Sequence, residues 1–175
     1  MFGRPDTKRR RVTKGEIAMS SIAPCLWFNG NAEEAANFYV SLFPNSSIDV
    51  ISRYGEGAPF PAGTPLLISF TLSGRPFQAL NGGPHFTFSE AVSFSIDCAD
   101  QAEVDRYWDA LTADGGEPSM CGWLKDRFGV SWQVVPRTIL TMQQNGTAEQ
   151  VARMMDALLK MRKLDVATLE AVFKG

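Results

Sequence analysis

The hydrophobic pattern of this chain contains one helical stripe twice. In the first copy Asn31 can cap a helix, Glu34 lies three residues later, and apolar residues recur at the i, i+3, i+4 and i+7 positions up to Leu42. The second copy begins 69 residues further along, where Asp100 takes the cap position and Glu103 follows it. Its stripe consists of Val104, Tyr107, Trp108 and Leu111. The two segments predict two amphipathic helices that bury equivalent faces.

Strand-like segments surround both helices in the same order. The first helix is preceded by one segment and followed by three, which are Ala23–Phe28, then Ile48–Tyr54, Leu66–Ser73 and Pro76–Leu80. The second helix is surrounded in the same way by Ala91–Asp97, then Pro118–Cys121, Gly122–Asp126 and Val130–Val135. Turns at Ser73-Gly74-Arg75 and Arg127-Phe128-Gly129 connect the last two strands of each set. This order predicts two βαβββ modules, at about residues 21–82 and 88–137.

The two modules end in matching phrases, FQAL and WQVV, which make Gln78 and Gln133 symmetry-related positions. After the second module, Thr147 and Gln150 have capping-box spacing ahead of an apolar stripe, and Asp165 can cap a last short helix. The pattern therefore predicts C-terminal helices over residues 147–174. The expected fold class is α+β, built from tandem βαβββ modules with a helical extension.

Basic side chains concentrate at the start of the chain. Residues 1–19 carry six of them against Asp6 and Glu16, whereas the whole chain has a formal net charge of −2, so the remainder is acidic. An acidic body repels phosphate backbones and the Lys8–Arg11 run is short, which excludes nucleic acid as the main partner. We predict a disordered basic leader over residues 1–19 ahead of one domain over residues 20–175. A natural translation start at Met19 is an alternative hypothesis.

Composition favours a compact protein of the cytoplasm. Apolar residues make up 45% of the 175 residues and include 12 Phe and 4 Trp, enough for a core. The apolar runs are much shorter than the roughly 20 residues that a membrane-spanning helix needs, so no membrane partner is expected. The three cysteines, Cys25, Cys98 and Cys121, are widely spaced and follow no secretory signal, which predicts reduced thiols.

Four long phrases carry a family resemblance: LWFNGNAEEAANFYVSLFPNS, ALNGGPHFTFSEAVSFSI, EVDRYWDAL and CGWLKDRFGVSWQVVP. They resemble the PhnB-like family of the glyoxalase, or vicinal oxygen chelate, superfamily, whose members are often labelled 3-demethylubiquinone-9 3-methyltransferases. The likeness covers Ser21–Gly175. It implies that the modules form a curved mixed sheet around a small-molecule cavity, often completed by a second subunit of a homodimer.

The resemblance also implies where a metal would bind. In metal-dependent members of the superfamily, the first and last strands of each module offer His and Glu side chains to a divalent cation. The matching last-strand positions here are Gln78 and Gln133, and the first-strand positions, near Pro24–Cys25 and Ala91–Ser93, contain neither residue type. Two neutral amides hold a hard cation weakly. We therefore expect no tightly held metal and no cofactor, with both glutamines lining the ligand cavity.

Three side chains are candidates for catalysis. His85 is the only histidine and has the pKa range for acid/base work, although a loop histidine is more often simply solvated. Cys25 and Cys121 are possible nucleophiles, but no base adjoins either thiol in the sequence, and a free cysteine is commonly a small buried hydrophobe.

Three further residues are candidates for ligand binding. Trp27 shares one face of the first strand with Cys25, and Trp123 and Arg53 lie on strands that border the expected cavity. An aromatic face and a guanidinium would suit a planar or anionic ligand, and an outer-surface position remains equally open for Trp123 and Arg53. Asp126 opens a turn, where bonding to its own backbone is the favoured interpretation.

Several functions stay open at this point. The first is a small-molecule binder that could be an enzyme of the lyase, isomerase or dioxygenase type with altered or lost metal dependence. The second is a metal-free sequestering or resistance protein, and the third is a purely dimeric interaction module. The methyltransferase of the family label is disfavoured, because a Rossmann-type methyl-donor site needs a glycine turn leading into a helix, whereas Asn81–Pro84 leads into another strand-like stretch. Neither the ligand nor the reaction follows from the sequence.

Overall fold

A computed structural model describes residues 22–175 of the chain. The predicted leader over residues 1–19 and the alternative start at Met19 lie outside the described residues. Within the described part, no helix is long and apolar enough to cross a membrane.

The first module has the predicted βαβββ order. Its elements are β1 (Cys25–Phe28), α1 (Ala32–Leu42), β2 (Ser47–Arg53), β3 (Pro65–Leu72) and β4 (Arg75–Asn81). The four strands form a mixed sheet in the order β1-β4-β3-β2, in which only β1 and β4 run parallel. Ser73 and Gly74 both have positive φ, at 47° and 76°, and close the two-residue turn between β3 and β4. Gly74 adopts this conformation without steric cost, which explains the predicted hairpin.

The second module repeats this topology. Its elements are β5 (Phe94–Cys98), α2 (Gln101–Thr112), a 3-10 turn (Ala113–Gly115), β6 (Glu117–Pro118), β7 (Trp123–Lys125) and β8 (Ser131–Pro136). The strand order is β5-β8-β7-β6, again with only the first and last strands parallel. Gln78 is in register with Cys25 in the first sheet, and Gln133 with Ser95 in the second. The predicted symmetry of the two glutamines is therefore present in the strand register.

The start of α1 differs from the sequence prediction. Asn31 makes no side-chain capping hydrogen bond, whereas Asp100 accepts from the Glu103 amide as predicted for α2. The Ala32 amide instead donates to Oδ1 of Asn81, 3.0 Å away at the end of β4, and Asn81 Nδ2 donates to the Pro65 carbonyl. A fully buried asparagine from the last strand thus satisfies the helix terminus and fastens it to the sheet.

Both helices bury their apolar stripes in one core that the two sheets share. On β1 and β4, Leu26, Phe28 and Ala79 face this core, and on β8 Trp132 and Val134 do so. Aromatic contacts join the modules across it: Phe43, directly after α1, stacks on Tyr107 and Trp132, and Phe77 of β4 meets Phe94 of β5. We call the core-facing sides the inner faces of the sheets.

A buried carboxylate joins the two modules at the predicted Asp126 turn. Asp126 is 3% exposed and accepts four hydrogen bonds, from the Phe128 and Val130 amides and from the Tyr39 hydroxyl and the Trp132 indole. Burial raises the pKa of Asp126, while these donors act to lower it. Burial and the nearby Asp126 charge also raise the pKa of Tyr39 well above its usual value. The predicted structural role of Asp126 is present, and it extends across the module boundary to α1.

Three helices follow the second module: α3 (Thr138–Asn145), α4 (Ala148–Leu158) and α5 (Val166–Lys174). The capping box of Thr147 and Gln150 and the Asp165 cap are both formed as predicted. Helix α3 was not predicted, because its eight residues bury only Ile139 and Met142 and give too short a pattern. The three helices form a second core of their own.

Candidate functional site

The sides of the sheets that turn away from the shared core carry most of the candidate residues, and we call them the outer faces. Because strand side chains alternate, Cys25, Trp27 and Gln78 lie on the outer face of the first sheet. Trp123 and Gln133 are register partners on the outer face of the second sheet. The structure thus brings the candidates together in two groups, one on each sheet.

On the first outer face, Trp27 is held by the linker, residues 82–93, that joins the modules. Its indole nitrogen donates to the Gly83 carbonyl at 2.8 Å, and its ring meets the edge of Phe86 at a centroid distance of 4.9 Å. A Cβ atom on Gly82 would lie 2.2 Å from the Trp27 ring, so glycine is required there for close approach. The Trp27 ring is therefore fixed in position beside the exposed Cys25.

On the second outer face, Trp123 borders a depression of about 360 Å³. Lys125 and Ser131, which are register partners, line it together with Glu90 of the linker and Glu117 of β6. Beside the depression, the Gln133 side-chain amide donates to the Ser93 hydroxyl at 2.9 Å. Within the described residues the Trp123 indole makes neither a hydrogen bond nor an aromatic contact, so its polar edge and its ring are both available to a ligand.

Sequence reasoning missed Lys125, Ser131, Glu90 and Ser93 as members of this group. A signal for two of them was present, since Lys125 and Ser131 each lie two residues from a predicted site residue on the same strand and so share its face. Glu90 and Ser93 precede β5, and only the tertiary fold brings them to the second sheet.

The remaining candidates lie elsewhere. Arg53 is on the helix side of the first sheet, where its guanidinium pairs with Glu33 of α1 at 3.4 Å and donates to the Gly63 carbonyl. His85 is exposed in the linker and makes no side-chain hydrogen bond within the described residues. Cys121 packs against the C-terminal helices, where its amide donates to the Met161 carbonyl.

Among the three candidate catalytic side chains, only Cys25 lies on an outer face. Partial burial raises the pKa of the Cys25 thiol, which favours the protonated form over the nucleophilic thiolate. The side chains opposite Cys25 in the strand register are Gln78 and, beyond it, Ser69. Neither residue is a base that could remove the thiol proton.

The donor set does not fit the divalent metal that the superfamily resemblance implies. Gln78 has Cys25 and Ser69 as register neighbours, and Gln133 has Ser95 and Trp123. Among residues 22–175, no three His, Cys, Asp or Glu side chains lie close enough together to hold a metal ion. Amide and hydroxyl oxygens without a carboxylate give a weak site for a hard cation and a poor one for zinc.

We expect protein purified without chelator to contain less than about one-tenth of an equivalent of zinc, nickel, iron or manganese per chain, as measured by mass spectrometry of the metals, because the amide pair lacks charge to neutralise a cation. One equivalent of any of these metals would contradict this interpretation. A chain with both glutamines replaced by glutamate is a useful positive control, since carboxylates supply the missing charge.

The topology and the symmetry-related glutamines define a protein of two tandem βαβββ modules. The sequence profile of the 3-demethylubiquinone-9 3-methyltransferase family matches residues 20–135. The chain is 39% identical to the PhnB protein from Bacillus cereus, with a TM-score of 0.62 over 67% of this chain and 99% of that one. This chain belongs to that PhnB-like family.

Other solved structures also match. Protein PA1353 from Pseudomonas aeruginosa is 26% identical, with a TM-score of 0.55 over 67% of this chain and 97% of its own. A glyoxylase/bleomycin resistance protein/dioxygenase domain from Frankia sp. is 13% identical, with a TM-score of 0.42 over 68% and 93% of the two chains. The comparison with curated proteins found no match.

Proposed function

We propose that this protein binds a small organic molecule on the outer faces of its sheets. The observation that carries the proposal is Trp123, whose ring and indole N–H have no partner among the described residues. Gln133 lies opposite it, and its amide carbonyl is likewise without a donor among them. An aromatic surface bordered by a few fixed polar groups is typical of small-molecule sites.

The geometry favours binding over a reaction. None of the three candidate catalytic side chains is placed for acid/base or nucleophilic chemistry, because His85 and Cys121 lie off the outer faces and Cys25 has no neighbouring base. The ionisable groups of the second outer face do not form a closed catalytic site either, since Lys125 pairs with Glu90 and Glu117 is exposed. A sequestering protein without a metal needs only the aromatic and polar lining that is present.

The methyltransferase activity in the family's description finds no support in the chain's topology. A Rossmann-type methyl donor site has a glycine turn between a parallel strand and a helix, in a doubly wound sheet. Gly82 and Gly83 follow β4 and lead through an irregular linker to β5. Gly30, between β1 and α1, is the one glycine in the described residues that joins a parallel-paired strand to a helix, and it lacks the further glycines of such a turn. Neither mixed sheet is doubly wound.

A thermal-shift screen against a panel of neutral, anionic and cationic metabolites tests the proposal. At about 100 times its dissociation constant, a ligand should raise the melting temperature by roughly 5 °C or more. Trp123→Ala should abolish most of that shift, whereas Leu140→Ala, on exposed α3, should leave it unchanged. A panel without any stabilising compound, or one whose stabilising compounds act equally on Trp123→Ala, would overturn the proposal.

We also propose that a second copy of the chain covers the outer face of the first sheet, as the family resemblance implies. Val50 of β2 is 60% exposed there and Cys25 is exposed as well, so the face offers apolar surface to a partner. Light scattering should give about twice the 19.2 kDa chain mass, and Val50→Arg should shift the mass toward one chain. A single-chain mass for the unaltered protein at micromolar concentration would contradict this assembly.

A further inference from the structure

The depression beside Trp123 has an excess of negative charge. It is lined by one cation, Lys125, and by two carboxylates, Glu90 and Glu117. Lys125 pairs with Glu90 at 2.5 Å, so its charge is already neutralised. Glu117, the register partner of Lys125, makes no ion pair within the described residues. A simple anion would therefore be repelled from this depression, whereas a cation would be attracted.

A second and independent observation comes from Ser131. It is 2% exposed, it lines the same depression, and its hydroxyl oxygen has no hydrogen-bond partner among the described residues. A buried hydroxyl without a partner is unfavourable, and such groups are rare in native proteins unless a ligand or water satisfies them. The Ser131 oxygen is itself covered by its neighbours, so it can accept a hydrogen bond from the N–H donor of a ligand once the side chains that cover it move aside.

The third feature is the free face of Trp123. Indole rings attract cations placed over them more strongly than the other aromatic side chains do. No arginine or lysine lies over this ring within the described residues, although such contacts are formed at Tyr107, Phe38 and Phe128. The ring is therefore available to a cation from outside the chain.

We propose that the ligand of the second outer face is an organic ammonium ion with an apolar or aromatic body. Its charged nitrogen is paired with Glu117 and donates to the Ser131 hydroxyl, and it lies against the Trp123 ring. Lys125 is paired with Glu90, and the remaining Glu117 charge repels carboxylates. This inference rests on the proposed function and names the ligand class of that site.

Three probes of the same shape test the proposal: phenethylamine, which is protonated at neutral pH, 2-phenylethanol and phenylacetate. Calorimetry on the full chain should show the amine binding at least tenfold more tightly than phenylacetate. Glu117→Gln should weaken binding of the amine about fivefold and leave the affinity for 2-phenylethanol unchanged. Glu149→Gln, which removes an exposed carboxylate on α4, should change neither affinity. Equal or tighter binding of phenylacetate, no binding of the amine, or no effect of Glu117→Gln would overturn the inference.

Ser131→Ala gives a readout that a merely structural role would not produce. It should raise the melting temperature of the ligand-free chain, because it removes an unpartnered buried hydroxyl. It should also weaken binding of the amine. Ser41→Ala, which removes an exposed hydroxyl on α1, should leave the amine affinity unchanged. Loss of stability in Ser131→Ala with unchanged amine affinity would overturn the role given to Ser131. If a neutral or anionic compound from the wider panel binds in a Trp123-dependent way, the ligand class is wrong while the proposed function stands.

Discussion

Asp126→Ala is expected to lower the free energy of unfolding by about 4 kcal/mol, one of the largest effects of any single substitution in this chain. The carboxylate accepts the Tyr39 hydroxyl at 2.7 Å and the Trp132 indole at 2.8 Å, together with two amides of its own turn. Alanine would leave all four donors buried without acceptors. Urea denaturation followed by circular dichroism measures the loss, with an unchanged slope if the variant still unfolds in two states.

Two variants separate the network from a general loss of charge. Tyr39→Phe removes the Tyr39 hydroxyl and its hydrogen bond to Asp126, and it should lower the free energy of unfolding by about 1 kcal/mol. Asp156→Asn removes an exposed carboxylate on α4, whose pair with Lys160 is on the surface, and should cost about 0.5 kcal/mol or less. A loss below about 1 kcal/mol for Asp126→Ala would show that these four hydrogen bonds, of which the one from Tyr39 joins the second module to α1, do not stabilise the fold.

Gly82→Ala is expected to lower the free energy of unfolding by about 2–3 kcal/mol, because the new methyl group would occupy the position of the Trp27 ring. The nearest ring atom is 2.2 Å from the added Cβ, and a rigid indole cannot yield as a flexible side-chain end would. Displacement of the ring would also break its hydrogen bond to the Gly83 carbonyl. The same variant should therefore loosen the start of the linker, visible as faster exchange of the amide at position 82, which donates to the Phe28 carbonyl.

The control for this prediction is Gly55→Ala. A Cβ atom on Gly55 meets nothing within 4 Å, and the φ of Gly55 is not positive. The free energy of unfolding should therefore change by no more than about 0.5 kcal/mol. Combining Gly82→Ala with Trp27→Ala should relieve most of the clash. The double variant should then lose less free energy of unfolding than the sum of the two single losses. Additive losses would show that the clash with Trp27 is not the cause.

Much of the fold could be predicted because the repeat is local. The helix stripes, the Ser73–Gly74 turn and the Thr147 capping box each depend on residues within a few positions of one another. The matching phrases around Gln78 and Gln133 likewise placed both glutamines on equivalent strands. These features need no knowledge of how the modules pack.

Long-range contacts explain what the sequence did not predict. Asn81 replaces Asn31 at the start of α1 from 49 residues away, and Asp126 reaches Tyr39 across 87 residues. Neither partner can be chosen from a linear pattern, because any of the many polar side chains in the sequence could satisfy the same donor. The depression on the second outer face could not be predicted for the same reason, because the linker residue Glu90 meets Lys125 only in the folded chain.

We expect ligands to bind on the outer faces and to leave the shared core unchanged. The four tryptophans provide a direct test, because Trp27 and Trp123 lie on outer faces while Trp108 and Trp132 are buried in the core. The measurement is a titration of the four indole N–H resonances by NMR with a stabilising compound from the screen. The Trp123 resonance should shift first and most, with Trp108 and Trp132 unmoved. Shifts confined to Trp108 and Trp132 would contradict binding on the outer faces.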